Sequence, residues 1–198
     1  MKNKQKHIDD YFNKISIIAR LMDKEKINKI VLEILNLKKK KGRLFFIGVG
    51  GSAANASHAV NDFRKLCGIE SYSPIDNVSE LTARINDEGW ENSFIDWLKV
   101  SKLNSSDGIF IFSVGGGNKK KGISTNLIKA VDYAKKQKTK VFGIVGRNDG
   151  YVYKKGNLVL QVPLVSKNLL TPFSESFQAV VWHCLVSDPR LQINKTKW

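Results

Sequence analysis

Cysteine is nearly absent from this sequence: 198 residues hold two, Cys67 and Cys184. They stand far apart with no CxxC or CxxH spacing. That excludes a disulfide framework and a cysteine-based zinc module, and leaves two reduced thiols, as expected of a cytoplasmic protein. Long apolar runs are missing as well. Those present are too short for a signal core or a bilayer span, so neither export nor a membrane partner is expected. Internal repeats, low-complexity tracts and long linkers are also lacking, which argues for one compact unit. Acidic residues are in short supply, 18 against 33 Lys and Arg, giving a net charge of +15. Such a balance invites a nucleic-acid reading. The lysines, however, fall in short clusters near expected helix ends, where cations are favoured. No zinc-finger or RNP-type spacing accompanies them, and nucleic acid is not expected as a partner. Lys119 to Lys121 stand apart, because they directly follow a glycine-rich loop.

What the chain does have is a 42% apolar content, enough for a buried core, and two glycine-rich loops. Gly48-Val49-Gly50-Gly51-Ser52 follows Leu44-Phe45-Phe46-Ile47, and Ser113-Val114-Gly115-Gly116-Gly117-Asn118 follows Ile109-Phe110-Ile111-Phe112. Each precedes a helical pattern. A strand that ends in glycines and runs into a helix points free N–H groups outward at the positive end of the helix dipole, where an anion binds. Two such loops suggest a pocket for a phosphorylated ligand.

The first forty residues read as two amphipathic helices, the second closed by Lys38 to Lys41 and Gly42. Residues 1–42 are expected to form an extension that packs on the core or on a neighbouring subunit, and residues 43–198 the ligand-binding domain. From Arg43 onward strands are expected near 43–48, 69–73, 108–113, 140–145 and 157–162. Helices are expected near 52–66, 77–86, 90–102, 123–137 and 173–187. This alternation predicts an α/β fold with a parallel sheet covered on both faces, binding its ligand at the carboxyl ends of the strands.

Several constellations admit more than one reading. Gly48-Val49-Gly50-Gly51-Ser52-Ala53 also fits a loose dinucleotide fingerprint, with Glu70 near the place of a ribose-binding acid. His58 and Asp62, four apart on one helical face, suit a metal pair, a catalytic pair or a solvated ion pair. Thr171-Pro172 marks a helix start, Glu175 sits early in that helix, and His183 lies within an apolar stretch. Alone, His183 is an ordinary core histidine; beside His58 and two carboxylates it suggests a two-His, two-carboxylate metal site. Asn86-Asp87-Glu88-Gly89-Trp90 reads as a helix end and turn.

Taken together these motifs resemble the SIS (sugar isomerase) family and, within it, the phosphoheptose isomerases. The likeness runs from about Ile30 to Leu185. It rests on the Gly-x-Gly-Gly-Ser turn, the His-x-x-x-acid, the Asn-Asp-x-Gly-aromatic motif, the Ser-initiated second loop and the helix bearing His183. The resemblance implies a three-layer SIS sandwich with a five-stranded parallel sheet and a homotetramer with pockets at subunit interfaces. The reaction it implies is the aldose–ketose isomerisation of sedoheptulose 7-phosphate to D-glycero-D-manno-heptose 7-phosphate, supplying heptose for surface polysaccharide. It assigns His58, Asp62, Glu175 and His183 to a metal, zinc by preference, and Asp62 and His183 to acid–base catalysis. Gly50, Gly51, Ser52, Asp62, Asn86, Asp87 and Glu175 would contact substrate, and Ser113, Val114, Gly115, Gly116, Gly117 and Asn118 would cradle its phosphate. NAD is not expected.

Three positions and one loop depart from the family pattern. Asp62 stands where Glu is usual, Glu175 replaces Gln, Val49 replaces Asn, and the hydroxyl-rich phosphate loop has become glycine-rich and one residue longer. Glu175 and His183 are also eight residues apart, about 12 Å along a straight helix. A non-helical start near Pro172, or a site shared between subunits, would let both reach one metal.

Overall fold

The computed structural model describes residues 2–196. The N-terminus is helical, as its periodicity predicts, with α1 (Lys2–Leu21) and α2 (Lys24–Lys39). There follow β1 (Leu44–Ile47), α3 (Gly51–Cys67), β2 (Ser71–Tyr72), α4 (Val78–Glu88), α5 (Ser93–Val100) and β3 (Gly108–Ser113). The second half contains α6 (Thr125–Lys136), β4 (Lys140–Val145), α7 (Tyr151–Lys155), β5 (Leu158–Gln161) and α8 (Leu170–Val186), the last entered through a 3-10 turn at Lys167–Leu169.

All strand pairings are parallel and the order is β2-β1-β3-β4-β5. Every residue of β1 and β3 is buried, which is why both read as continuous apolar runs rather than alternating ones. Successive side chains serve opposite faces. Phe46, Phe110, Phe112 and Phe142 pack with residues of α1, α2, α3 and α8. Phe45, Ile47, Ile109 and Ile111 pack with α5, α6 and α7. The N-terminal helices contribute directly to the first of these cores, through Ile18, Met22, Ile30, Val31, Ile34 and Leu37.

From β1 the chain crosses to β2 on one side and then to β3 on the other. The crevice at the carboxyl ends of β1 and β3 is therefore the topological switch point, and both glycine loops flank it. The first loop behaves as its sequence suggests: β1 ends at Ile47, and α3 begins at Gly51 behind Gly50, whose φ of 64° favours glycine. The second does not run straight into a helix. Residues 114–124 make a longer excursion, closed by an antiparallel bridge between Asn118 and Ile123, before α6 starts at Thr125.

Three further details differ from the sequence reading. The left-handed residue after α2 is Lys41, not Gly42. Gly42 is needed for a close approach instead, since a Cβ there would lie 1.9 Å from the Ser106 carbonyl oxygen. The five-residue α7 was not anticipated, being too short to show a period. Pro172 lies inside the first turn of a helix that is continuous from Leu170, so no non-helical start separates Glu175 from His183.

Candidate active site

α3 and α8 lie side by side and run in the same direction, and polar residues line the seam between them. Near its start the Glu175 carboxylate fills the space above Gly51, where a Cβ would come within 2.5 Å of Oε2. One turn on, Gln178 is fully buried. Its Nε2 donates to Ser52 Oγ at 3.0 Å, and its Oε1 accepts from Asn55 Nδ2 at 3.0 Å. Asn55 Nδ2 also donates to the Glu175 backbone carbonyl at 2.9 Å. Buried polar groups must be paired, and this ladder pairs each of them.

Further along, His58, Asp62 and His183 come together. Asp62 Oδ2 is 3.8 Å from His58 Nε2 and 3.8 Å from His183 Nε2. One donor atom from each of the three falls within 4.8 Å of the others. Asp62 is buried, while the side chains of His58 and His183 are 58% and 52% exposed, so the cluster opens outward from this chain. Each side chain is oriented. Asn61 Nδ2 donates to Asp62 Oδ1 at 2.8 Å, which leaves Oδ2 facing the imidazoles. His183 Nδ1 lies 2.8 Å from the Ala179 carbonyl oxygen, an acceptor only, so Nδ1 carries the proton and Nε2 keeps its lone pair. Buried Trp182 packs against both rings, with centroids 4.6 Å from His58 and 3.5 Å from His183.

Tetrahedral zinc with bonds of about 2.1 Å sets its ligand atoms about 3.4 Å apart. The observed spacings, 3.8 Å from the carboxylate to each imidazole and within 4.8 Å overall, are wider than that and would have to close on an ion; the donor set of two imidazoles and one carboxylate suits zinc and leaves a coordination position open. Glu175 is not part of the cluster. It lies on the same continuous helix as His183, two turns nearer the N-terminus, over Gly51.

The remaining sequence candidates are distributed around the sheet edge. Gly50, Gly51 and Ser52 form the start of α3. Asn86 and Asp87, near the end of α4, bond to each other at 2.7 Å and lie outside the cluster. In the second loop the Gly116 amide donates to Ser113 Oγ at 2.9 Å, and the Asn118 amide to the Ile123 carbonyl at 2.9 Å. Two of the expected phosphate-binding amides are thus engaged within the loop. The Gly116 and Gly117 carbonyls accept from Val152 and Tyr151, which ties the loop to α7. Gln178, Asn55 and Trp182 escaped notice in the sequence. The spacing of Ser52 with Asn55 and of Glu175 with Gln178, three apart on one face each, was the signal available.

Comparison with known proteins agrees with this architecture. Lincomycin biosynthesis protein LmbN of Streptomyces lincolnensis is 28% identical over 154 residues, covering 73% of this chain but only 54% of LmbN. Phosphoheptose isomerase 2 of Campylobacter jejuni is 25% identical over 195 residues, covering 93% of this chain and 92% of that protein. The structure of phosphoheptose isomerase GmhA from Neisseria gonorrhoeae superposes with a TM-score of 0.77 at 20% identity, covering 93% and 95% of the two chains. The sugar isomerase domain of an RpiR transcription factor from Sphaerobacter thermophilus superposes at 0.61 with 15% identity, covering 94% and 89%. The fold therefore serves regulators as well as enzymes. The sequence profile of the SIS domain matches residues 10–146, more than half of the sequence, and this chain belongs to the SIS domain family.

Proposed function

We propose that this chain is a phosphosugar aldose–ketose isomerase, with sedoheptulose 7-phosphate as its substrate and D-glycero-D-manno-heptose 7-phosphate as product. The observation that carries this reading is the convergence of His58, Asp62 and His183, each held by a second contact, in a SIS chain similar along nearly its whole length to a phosphoheptose isomerase. A module that only bound a sugar phosphate would have no use for that constellation.

The isomerisation moves a proton between neighbouring carbons through an enediol and needs one base and one acid. In this reading Asp62 Oδ2 removes the carbon-bound proton, and His183 Nε2 exchanges a proton with the sugar oxygens. Asn61 and the Ala179 carbonyl keep those two atoms aimed at the substrate. Zinc held by His58, Asp62 and His183 would supply polarisation of the carbonyl oxygen; it would occupy Asp62 Oδ2 and His183 Nε2, which move protons only when released from it. Gly50, Gly51, Ser52, Asn86, Asp87 and Glu175 are read as sugar contacts and the Ser113–Asn118 loop as the phosphate end. Phosphate binding holds the open-chain sugar in register.

The open side of the cluster favours a pocket completed by another subunit. Exposed Phe12, Leu21 and Val180 on α1 and α8 favour the same, and the proposed assembly is the homotetramer, with residues 1–42 as its docking extension. Among the described residues no helix is long and apolar enough to cross a membrane, and the proposed location is the cytoplasm.

The test is incubation of the zinc-loaded protein with sedoheptulose 7-phosphate in deuterated water, followed by NMR. Aldose carrying deuterium beside its carbonyl is the expected product. Binding without turnover would overturn the isomerase and leave a sugar-phosphate-binding module.

A further inference from the structure

In a parallel sheet the crossover helices end beside the amino ends of the strands. The lysine clusters that close the helices are each an ordinary helix end in the sequence; the fold gathers them on one face, at the far end of the strands from the glycine loops. Lys41 precedes β1, Lys102 β3, Lys138 β4 and Lys155 β5, and those four strands are neighbours in that order. Hydrogen bonds join the turns. Arg43 Nη2 donates to the Lys102 carbonyl at 3.1 Å, Thr139 Oγ1 to the Asn104 carbonyl at 2.7 Å, and Lys135 Nζ to the Lys155 carbonyl at 3.0 Å. Neighbouring strands lie about 4.8 Å apart, so the row is roughly 14 Å long. A cavity of about 220 Å³ opens along it, between Lys40, Lys138, Lys140 and the Ser105–Ser106 turn. The two acids that line this cavity are already matched, Asp107 by Arg43 at 2.7 Å and Glu33 by Lys140 at 3.5 Å.

Backbone conformation sets three of these lysines apart. Lys41, Lys102 and Lys138 have φ of 55°, 53° and 58°, the left-handed region that favours glycine. Each ends its helix in the same way, with the next amide donating back across the last turn: Gly42 to Leu37 at 3.0 Å, Leu103 to Leu98 at 3.2 Å and Thr139 to Ala134 at 2.9 Å. Helix α3 ends on the same bond, Ile69 to Phe63 at 3.1 Å, but there the left-handed residue is Gly68, with φ 60°. The helix dipoles do not call for the three lysines, because Lys38, Lys39, Lys99, Lys135 and Lys136 already occupy the last turns. All three are exposed, and among the described residues none is in an ion pair. A conformation unfavourable to any side chain is thus kept three times over, and each time it carries a cation. A row of charges suits a linear polyanion rather than a single anion. Residues 36–43, 99–107, 135–140 and 154–157, which form the face, include no aromatic side chain on which an unpaired base could stack. We propose that this face binds the phosphodiester backbone of double-stranded nucleic acid, without reading its sequence. The proposal does not depend on the isomerase reading, and the bound duplex would leave the carboxyl edge of the sheet open.

Fluorescence anisotropy of a labelled mixed-sequence duplex of about 20 base pairs, titrated with the full chain across a salt series, tests this. The triple variant Lys41→Gly, Lys102→Gly, Lys138→Gly is compared with wild type. The control is Lys119→Gln, Lys120→Gln, Lys121→Gln, which lowers the net charge equally but lies at the other end of the strands. At about 0.1 M salt the glycine variant is expected to lose at least about tenfold in affinity, and its log–log salt slope to fall by about 3. The glutamine variant is expected to bind as wild type does. Because glycine suits the left-handed turns, the urea midpoint of the glycine variant is expected at or above that of wild type. No binding by wild type at about 0.05 M salt overturns the proposal. Equal losses in the two triple variants reduce the effect to net charge and overturn it as well. A lowered midpoint together with lost binding assigns both to the stability of the turns, again against it. Tighter binding to anionic phospholipid vesicles than to the duplex gives the face to a membrane surface instead.

Discussion

Asp62 is one methylene shorter than the glutamate the family resemblance leads one to expect. Its Oδ2 nevertheless stands 3.8 Å from both imidazoles. α3 and α8 lie directly against one another there, and Trp182 packs against both rings. Replacing Asp62 by Asn keeps the shape and removes the charge. In Asp62→Asn, zinc affinity by competition with a chelator is expected to fall together with turnover, the latter about 10²- to 10⁴-fold. Turnover equal to wild type would remove Asp62 from the catalytic assignment. The two cysteines also part company at this scale. Both are free, but Cys67 is buried against the Val186 carbonyl and burial pushes its thiol up to about 11, whereas Cys184 is exposed on α8.

At the scale of elements, the α3–α8 seam is what brings the candidate catalytic groups into register. Gln178 is its central fastener, bonded to Ser52 and Asn55 while fully buried. Gln178→Leu would leave Ser52 Oγ without its donor and cut one of the two bonds of Asn55 Nδ2. A loss of about 1–3 kcal/mol in unfolding free energy is expected, read from urea midpoints at unchanged slope. A midpoint equal to wild type would mean water satisfies those groups and the seam is held by its apolar contacts alone. The two glycine loops teach a related point. By composition they look alike, yet one enters its helix at once and the other folds back through the Asn118–Ile123 bridge. That difference depends on where each loop's amides find acceptors, which glycine content does not reveal.

At the scale of the whole molecule, the parallel order places both loops at the switch point, while the three-residue cluster stands outward on the helical layer. Phe12 and Leu21 are each more than 60% exposed, and Val180 more than half. Scattered apolar residues are ordinary on a surface, but these accompany an unwalled cluster on the same helical layer. Sedimentation equilibrium is expected to give a tetramer for wild type, with Phe12→Glu combined with Leu21→Lys shifting the mass toward the monomer. A wild-type monomer at micromolar concentration would overturn the shared pocket.

Periodicity in the sequence determined the element types and the parallel α/β class, since apolar runs of strand length alternate with amphipathic helices. The His58–Asp62 pair was legible for the same reason, four residues being one helical turn. Joining His183 to that pair was not a local matter. It required the contact of α3 with α8, two helices more than a hundred residues apart in sequence, and the sequence offered only resemblance in its place. The tertiary structure also decided that Glu175 stands over Gly51 rather than with the imidazoles, because a continuous helix carries it two turns away from His183. It decided that Lys41, Lys102 and Lys138, at the ends of three different helices, share one end of the sheet. Local spacing sets which side chains share a helical face; only packing sets which faces meet.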